Sequence, residues 1–227
     1  MPETSVTLPN TASRADWLAA RKKFLEKEKQ LMRERDALNE ERRQLPMVRI
    51  EKDYVFDGPA GRVKLIDLFD GRRQLIVYHF MFDPAWEKAC PGCTGFVNDI
   101  PDVSGLHKHD TSLAVIARAP QVKLAAYRTA MGWDIPLYSS FGSDFNYDFH
   151  VTSDEKMAPA EYNYRKRTEH LKNGEPWFAD GEHHGVSVFL RDGDQLFHTY
   201  STYARGVEPL VPVLHYLDLT PLGRQGA

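Results

Sequence analysis

The segment that most restricts this chain is Gln74-Leu75-Ile76-Val77-Tyr78-His79-Phe80-Met81-Phe82. It stops at Asp83-Pro84 and leads into Cys90-Pro91-Gly92-Cys93. A continuous run of this kind, rich in β-branched and aromatic residues, predicts a strand buried on both faces. The chain has 227 residues and two cysteines, both in that motif. A disulfide framework would need more cysteines spread along the sequence. One pair cannot close a four-thiolate zinc site. Redox chemistry at Cys90 and Cys93 is therefore the leading reading.

The spacing has a physical reason. A thiolate, not a thiol, attacks a disulfide or a peroxide. At a helix N-terminus the unpaired N–H groups and the dipole favour an anion. A terminus contributes up to about 2 kcal/mol, enough to bring a thiol from about 8.5 to near neutrality. Pro91 suits the first helical position, where its missing N–H costs nothing. Two intervening residues put Cys93 about one turn behind, so Cys90 reads as the exposed nucleophile and Cys93 as the resolving thiol.

Other segments set the order of elements. Residues 1–12 read as a disordered lead-in. Thr11 or Ser13 can cap a helix from about Ala15 to Gln44, ended by Pro46. Its apolar positions recur every seventh residue, at Trp17, Phe24, Leu31, Leu38 and Leu45, widened by Leu18, Leu25 and Met32. An arm laid on its own domain and an arm that forms a homodimer both fit that stripe. Residues 47–57 alternate like a strand. A helix is expected over 93–107, a second buried strand over 111–118, a helix over 121–131 and a short strand over 136–140. Residues 152–182 are polar and irregular, and read as an insertion or a long loop. A hairpin follows, with strands 186–190 and 195–200 around Asp192-Gly193, then a final helix starting at Pro212. Parallel strands with crossover helices followed by a hairpin predict an open mixed sheet of the α/β class.

At this point the chain resembles the thioredoxin-like superfamily, in 75–93 and in VSVFLRDG (186–193). More closely it is similar to a bacterial family within it, catalogued as domain of unknown function 899. That likeness rests on YHFMF (78–82), PAWEKACPGC (84–93), RAP (118–120), MGW (131–133), YSSFGSDFNYDFHV (138–151), VSVFLRDG, FHTYSTYARG (197–206) and LDLTPLGR (217–224). It implies a thioredoxin-like three-layer fold with a mixed central sheet over 47–227, carrying the polar insertion near 152–182, after a helical arm over 1–46. Thioredoxins carry a cis-proline just before the hairpin strand. That place falls near Gly185, with no proline within reach. Peroxiredoxins carry a proline seven positions and a Thr or Ser three positions ahead of their cysteine. Asp83 and Glu87 stand there, and Pro84 is one position off.

Trp86, Glu87 and Gly185 are the candidate substrate-binding residues. Trp86 can shield a thiolate from water and Glu87 can exchange protons. His79 reads as a hydrogen-bonded core histidine, with a proton-relay or metal role near Cys90 as the alternative. His107 and His109 read as solvated, and His183-His184 as a surface loop or a substrate or metal contact. Phe141, Phe145, Tyr147, Phe149, Tyr200 and Tyr203 read as core or interface packing, or as a hydrophobic cleft. Arg205 reads as a surface ion pair or an anion contact.

The functional expectation is a thiol–disulfide oxidoreductase acting on a disulfide or peroxide, recharged by a dithiol donor, with no cofactor. The alternative is a metal- or redox-sensing protein using both cysteines as ligands; a third reading is a dimeric interaction protein. A net charge of -3 gives no basic field for nucleic acid. No run approaches the roughly 18–20 apolar residues of a membrane span. The first residues lack the pattern of a signal peptide, and a reducing, cytoplasmic setting is expected.

Overall fold

The computed structural model describes residues 9–225. The lead-in expected over residues 1–12 lies, up to residue 8, outside the described residues. Twelve strands are described. They are β1 Val48–Arg49, β2 Val55–Gly58, β3 Gly61–Lys64, β4 Gln74–His79, β5 Thr111–Ala117 and β6 Leu137–Ser139, then β7 Thr152–Ser153, β8 Glu161–Tyr162, β9 Arg165–Lys166, β10 Gly181–Glu182, β11 Gly185–Asp192 and β12 Gln195–Tyr203. The helices are α1 Arg14–Arg43, α2 Pro91–Asn98, α3 Ser104–Lys108, α4 Gln121–Met131, α5 Phe145–Asp148, α6 Arg167–Lys172 and α7 Pro212–Leu217.

The chain divides into two units. One is residues 47–211; the other joins the residues up to Pro46 with those from Pro212 onward. In the second, α1 starts at its cap Ser13, whose hydroxyl oxygen accepts from the Asp16 amide at 3.1 Å. No residue of α1 is buried, and Trp17, Phe24, Leu31 and Leu38 are half exposed or more.

The larger unit is built on an eight-stranded sheet in the order β1-β12-β11-β4-β5-β6-β2-β3. β4 pairs in parallel with β5, and β5 with β6. β11 runs antiparallel to β4 and to β12. The central order β12-β11-β4-β5 is the thioredoxin-like one, a βαβ unit extended by a hairpin. The hairpin closes through two residues between the paired Asp192 and Gln195, with Gly193 at φ 57°, a conformation that favours glycine.

Both faces of the sheet are covered, which gives the layered α/β fold. One face packs Tyr78, Val115 and Val186 against Phe96 and Val97 of α2 and Leu124 of α4. The other packs Leu75, Val77, Ile116 and Phe189 against Leu65, Leu68 and Phe69 of a 3-10 turn and Phe145 and Phe149 around α5. Phe145, Phe149 and Tyr203 are thus core residues, whereas Phe141 is exposed.

Three local expectations change. The strand expected over 47–57 is split. Val48–Arg49 borders β12 at one sheet edge, and Val55–Gly58 lies toward the other, between β3 and β6. Alternation identifies extended chain but not its neighbour. The helix expected over 93–107 is two helices, separated around Pro101, which has no N–H to give. The segment 152–182 is not merely polar loop. β7 pairs with β10, β8 with β9, and Tyr162, His170 and Glu182 are buried.

Candidate active site

Cys90 caps α2 with Pro91 at the first helical position. Its approach is pinned. The Cys90 amide donates to the Met81 carbonyl at 3.1 Å, tying the loop back to the end of the β4 segment. Lys123 Nζ donates to the carbonyls of Pro84, at 3.1 Å, and Trp86, and lies 4.9 Å over the Phe82 ring. Thr94 Oγ1 donates to the Cys90 carbonyl at 2.9 Å and meets the Tyr127 hydroxyl at 2.8 Å. The loop therefore presents Cys90 in one geometry at the helix terminus.

The two thiols are unlike. Cys90 is half-buried and Cys93 buried, and both are free. The Cys93 thiol donates to Cys90 and, with the amides of Cys93 and Gly92, brings the Cys90 pKa down to about 6 against the opposing effect of burial. The same hydrogen bond, together with burial and the Cys90 charge, pushes the Cys93 thiol well up. These are the electrostatics of a nucleophile that is ionised near neutrality and a partner that keeps its proton.

Behind Cys93 stands Tyr78, buried in β4 and stacked on Phe96 of α2 with ring centroids 3.9 Å apart. Hydrogen bonding from Tyr78 and from the Met81 backbone works against the rise in the Cys93 pKa. Tyr162 of the insertion also lies near. Burial raises its pKa first, and the Cys93 charge adds to that. Its hydroxyl donates to the His184 carbonyl at 2.9 Å and accepts from the Ala204 amide at 2.8 Å.

A three-group ion cluster fastens the cysteine loop to the insertion. Arg118, just after β5, pairs with Asp83 of the loop and with Glu182 of β10, the latter at 2.7 Å. Glu182 is buried and also accepts from the Thr152 hydroxyl at 3.1 Å.

Of the residues singled out in the sequence, Trp86 is partly buried and packs, like Cys90, against the α2 face of the core. Glu87 is exposed; the effects that dominate at Cys90 come from Cys93 and the amides, not from a carboxylate. Gly185 pairs with His79 and Tyr203. A Cβ there would sit 2.5 Å from Tyr203 Cδ1, so this glycine has a packing reason of its own. His79 faces away from the cysteines, toward Phe145 and Phe149, and Nε2 bonds Ser187 Oγ at 2.8 Å. Strand alternation puts Tyr78 on the α2 face and His79 on the other, so the proton-relay alternative for His79 near Cys90 is corrected.

His183 and His184 do not form a surface loop. His183 is buried, bonded to Ser153 Oγ at 3.0 Å and stacked on Tyr162, and burial brings its pKa down to about 4. His184 is partly buried and meets the Ala204 carbonyl at 3.3 Å. His107 and His109 are exposed at the end of α3. Arg205 is exposed and pairs with Glu208 at 2.8 Å. The residues that sequence reasoning missed are Tyr78, Thr94, Arg118, Tyr162 and Glu182.

Among the described residues no three His, Cys, Asp or Glu side chains converge to hold a metal ion. No described helix is long and apolar enough to cross a membrane. A cleft of about 730 Å³ lies at the far end of α2, lined by Val97, Asn98, Trp133 and Asp134 among others. Neither cysteine lines it.

Solved structures similar to this chain include a Xylella fastidiosa PrxQ cysteine-to-serine mutant (TM-score 0.47, 9% identity, covering 76% of this chain and 94% of that one). Another is a Xanthomonas campestris peroxiredoxin Q mutant (0.47, 13%, 77% and 97%). A third is peroxidoxin BcpB from Mycobacterium tuberculosis (0.45, 15%, 76% and 96%). None of the curated proteins matches the chain. The family described as bacterial protein of unknown function (DUF899) matches residues 6–227, nearly the whole sequence, and the protein belongs to that family.

Proposed function

We propose that this protein is a thiol oxidoreductase that cycles Cys90 and Cys93 between dithiol and disulfide. The observation that carries the reading is the asymmetry of the pair: an N-capping thiol brought down to about 6 beside a buried thiol pushed up. The Cys90 thiolate attacks a disulfide or a peroxide, and Cys93 resolves the adduct. A dithiol donor then restores both thiols. Trp86, Glu87 and Gly185 are the proposed substrate contacts around that centre. The proposed setting is reducing and cytoplasmic, where a lone C-x-x-C is more often catalytic than a structural staple.

Thiol trapping with mass spectrometry, across defined dithiol/disulfide buffers, tests this. The expected result is one reversible two-electron couple that vanishes in Cys90→Ser. Full disulfide-reductase and peroxidase activity in Cys90→Ser would overturn it. The metal-sensing alternative needs donors from a second chain, because no third ligand converges on the pair among the described residues. Stoichiometric zinc or copper in protein purified without chelator would favour it. The seven-residue apolar stripe of α1, with its exposed side chains, supports a homodimer through that helix. Deleting residues 1–45 should convert the dimer to a monomer by sedimentation, and an unchanged assembly would remove the idea.

A further inference from the structure

The extended backbone beside the cysteine loop already has a strand paired to it. β4 leads to the cysteines and lies inside the sheet, between β11 and β5, so it offers no edge. Gly185 faces His79 in the antiparallel register, so residues 183 to 181 run level with residues 81 to 83. The ion cluster agrees with that count, because Glu182 and Asp83 share Arg118. A peptide lying extended across Cys90 would need main-chain partners in this stretch. Those partners are taken. β7 pairs with β10, Thr152 against Glu182 and Ser153 against Gly181, and the His183 amide donates to the Val151 carbonyl at 2.8 Å. Side chains lock the pairing: Thr152 Oγ1 donates to Glu182 at 3.1 Å, and Ser153 Oγ meets His183 Nε2 at 3.0 Å. One residue on, the His184 carbonyl accepts from the Tyr162 hydroxyl at 2.9 Å. The carbonyls of the cysteine loop are engaged as well. Met81 accepts from the Cys90 amide, Pro84 and Trp86 from Lys123 Nζ, and Cys90 from the Thr94 amide and hydroxyl. Cys90 is nonetheless only half-buried, and Pro91 and Gly92 beside it are exposed.

We infer that β7 occupies the place of a peptide strand, and that the oxidant of Cys90 is a small molecule, a hydroperoxide or a low-molecular-weight disulfide, rather than a protein disulfide. The inference rests on the oxidoreductase reading above and narrows its substrate. With a small disulfide, the Cys90 thiolate attacks one sulfur and the other leaves as a thiolate, which takes the proton that Cys90 had given to water. Cys93 then attacks Cys90, the Cys90–Cys93 bond forms, and the second thiol leaves with the Cys93 proton. One disulfide is reduced to two thiols as the dithiol is oxidised. With a hydroperoxide, the O–O bond breaks, an alcohol or water leaves, and Cys90 becomes a sulfenic acid. Closure by Cys93 then releases water. Both routes reach the sulfur from the open side of Cys90 and need no main-chain pairing.

The test compares three oxidants on the pre-reduced full chain: hydrogen peroxide, cystamine, and an unfolded peptide whose cysteine carries the same cysteamine disulfide. Quenched flow with mass spectrometry gives the rate at which the Cys90–Cys93 bond forms. Two main-chain hydrogen bonds withheld from a peptide correspond to a loss of about tenfold or more. The peptide should therefore react at least about tenfold more slowly than the faster of the two small oxidants. A peptide rate within tenfold of that oxidant overturns the inference and leaves the oxidoreductase reading standing. If none of the three forms the Cys90–Cys93 bond, the oxidoreductase reading itself fails, and the inference with it. The double variant Thr152→Val, Ser153→Ala removes the side-chain locks of β7. The ratio of the peptide rate to the cystamine rate should rise about tenfold. A merely structural role would lower both rates together and leave the ratio in place. An unchanged ratio in a folded variant overturns the part given to β7, and the wild-type comparison does not depend on the variant folding.

Discussion

Removing the Cys93 sulfur should raise the pKa of Cys90, because the Cys93 thiol is the largest contributor to its lowering. With Cys90 at about 6, about nine-tenths of it is thiolate at pH 7, against about one-hundredth at the ordinary 9.0. A hydrogen bond to a charged acceptor contributes about 1.5–3 kcal/mol, which at about 1.36 kcal/mol per pH unit is about one to two units. In Cys93→Ala the midpoint should therefore rise to about 7–8, since the Gly92 amide and the backbone amide at position 93 stay in place. The thiolate fraction at pH 7 then falls to about a quarter for a midpoint near 7.5. The assay is the rate of iodoacetamide alkylation of Cys90 against pH, followed by mass spectrometry. At high pH the variant should react slightly faster than wild type, because a more basic thiolate is the better nucleophile. Superimposable profiles for wild type and variant would refute the reasoning, and would assign the lowering to the helix terminus alone.

Gly185→Ala places a methyl 2.5 Å from Tyr203 Cδ1 and should destabilise the fold by about 1–3 kcal/mol in urea unfolding. If stability is unchanged while substrate KM rises, the glycine serves binding rather than packing. Arg118→Ala leaves the buried Glu182 without its cation and should cost about 3–5 kcal/mol; a loss below about 1 kcal/mol would mean that the cluster is solvated in solution. Burial lowers His79 to about 3 and His183 to about 4, from an ordinary 6.5. Between those values and 6.5 the unfolded chain binds more protons than the folded one, so stability is full above about pH 6.5 and falls as the pH drops toward 4. Urea midpoints at pH 7.5 and 5 should show the decline, and equal midpoints would argue against buried neutral histidines.

Much of the sheet is legible in the sequence, because its central strands are buried on both faces and read as continuous apolar runs. The run from Gln74 onward is β4 and its extension, and 111–118 is β5. Helix 121–131 coincides with α4, which ends at Gly132 in the left-handed conformation. The cysteine pair falls at the helix start that its spacing and Pro91 predict. The rest fails for identifiable reasons. Residues 47–57 alternate, but alternation carries no information about which edge a strand joins. The insertion hides its buried members because Tyr162, His170 and Glu182 stand singly among charged residues, with no period to reveal them. Tyr78 and His79 are adjacent in one apolar run. Only the side on which α2 packs decides which of them meets the cysteines. Arg118 reads as an ordinary strand-end cation until Asp83 and Glu182 arrive from segments 35 and 64 residues away.

The donors that hold the Cys90 thiolate are electrically neutral: a thiol and two amides. An anion held by a guanidinium or an ammonium would weaken as ionic strength rises and would strand a bare positive charge once the sulfur became a disulfide. Hydrogen-bond dipoles at contact distance are hardly screened, since the Debye length of about 8 Å at physiological salt exceeds the separation. On the proposed reading, the reactivity of Cys90 is thereby decoupled from the salt content of its surroundings, and a Cys90–Cys93 disulfide leaves no unbalanced charge at the start of α2.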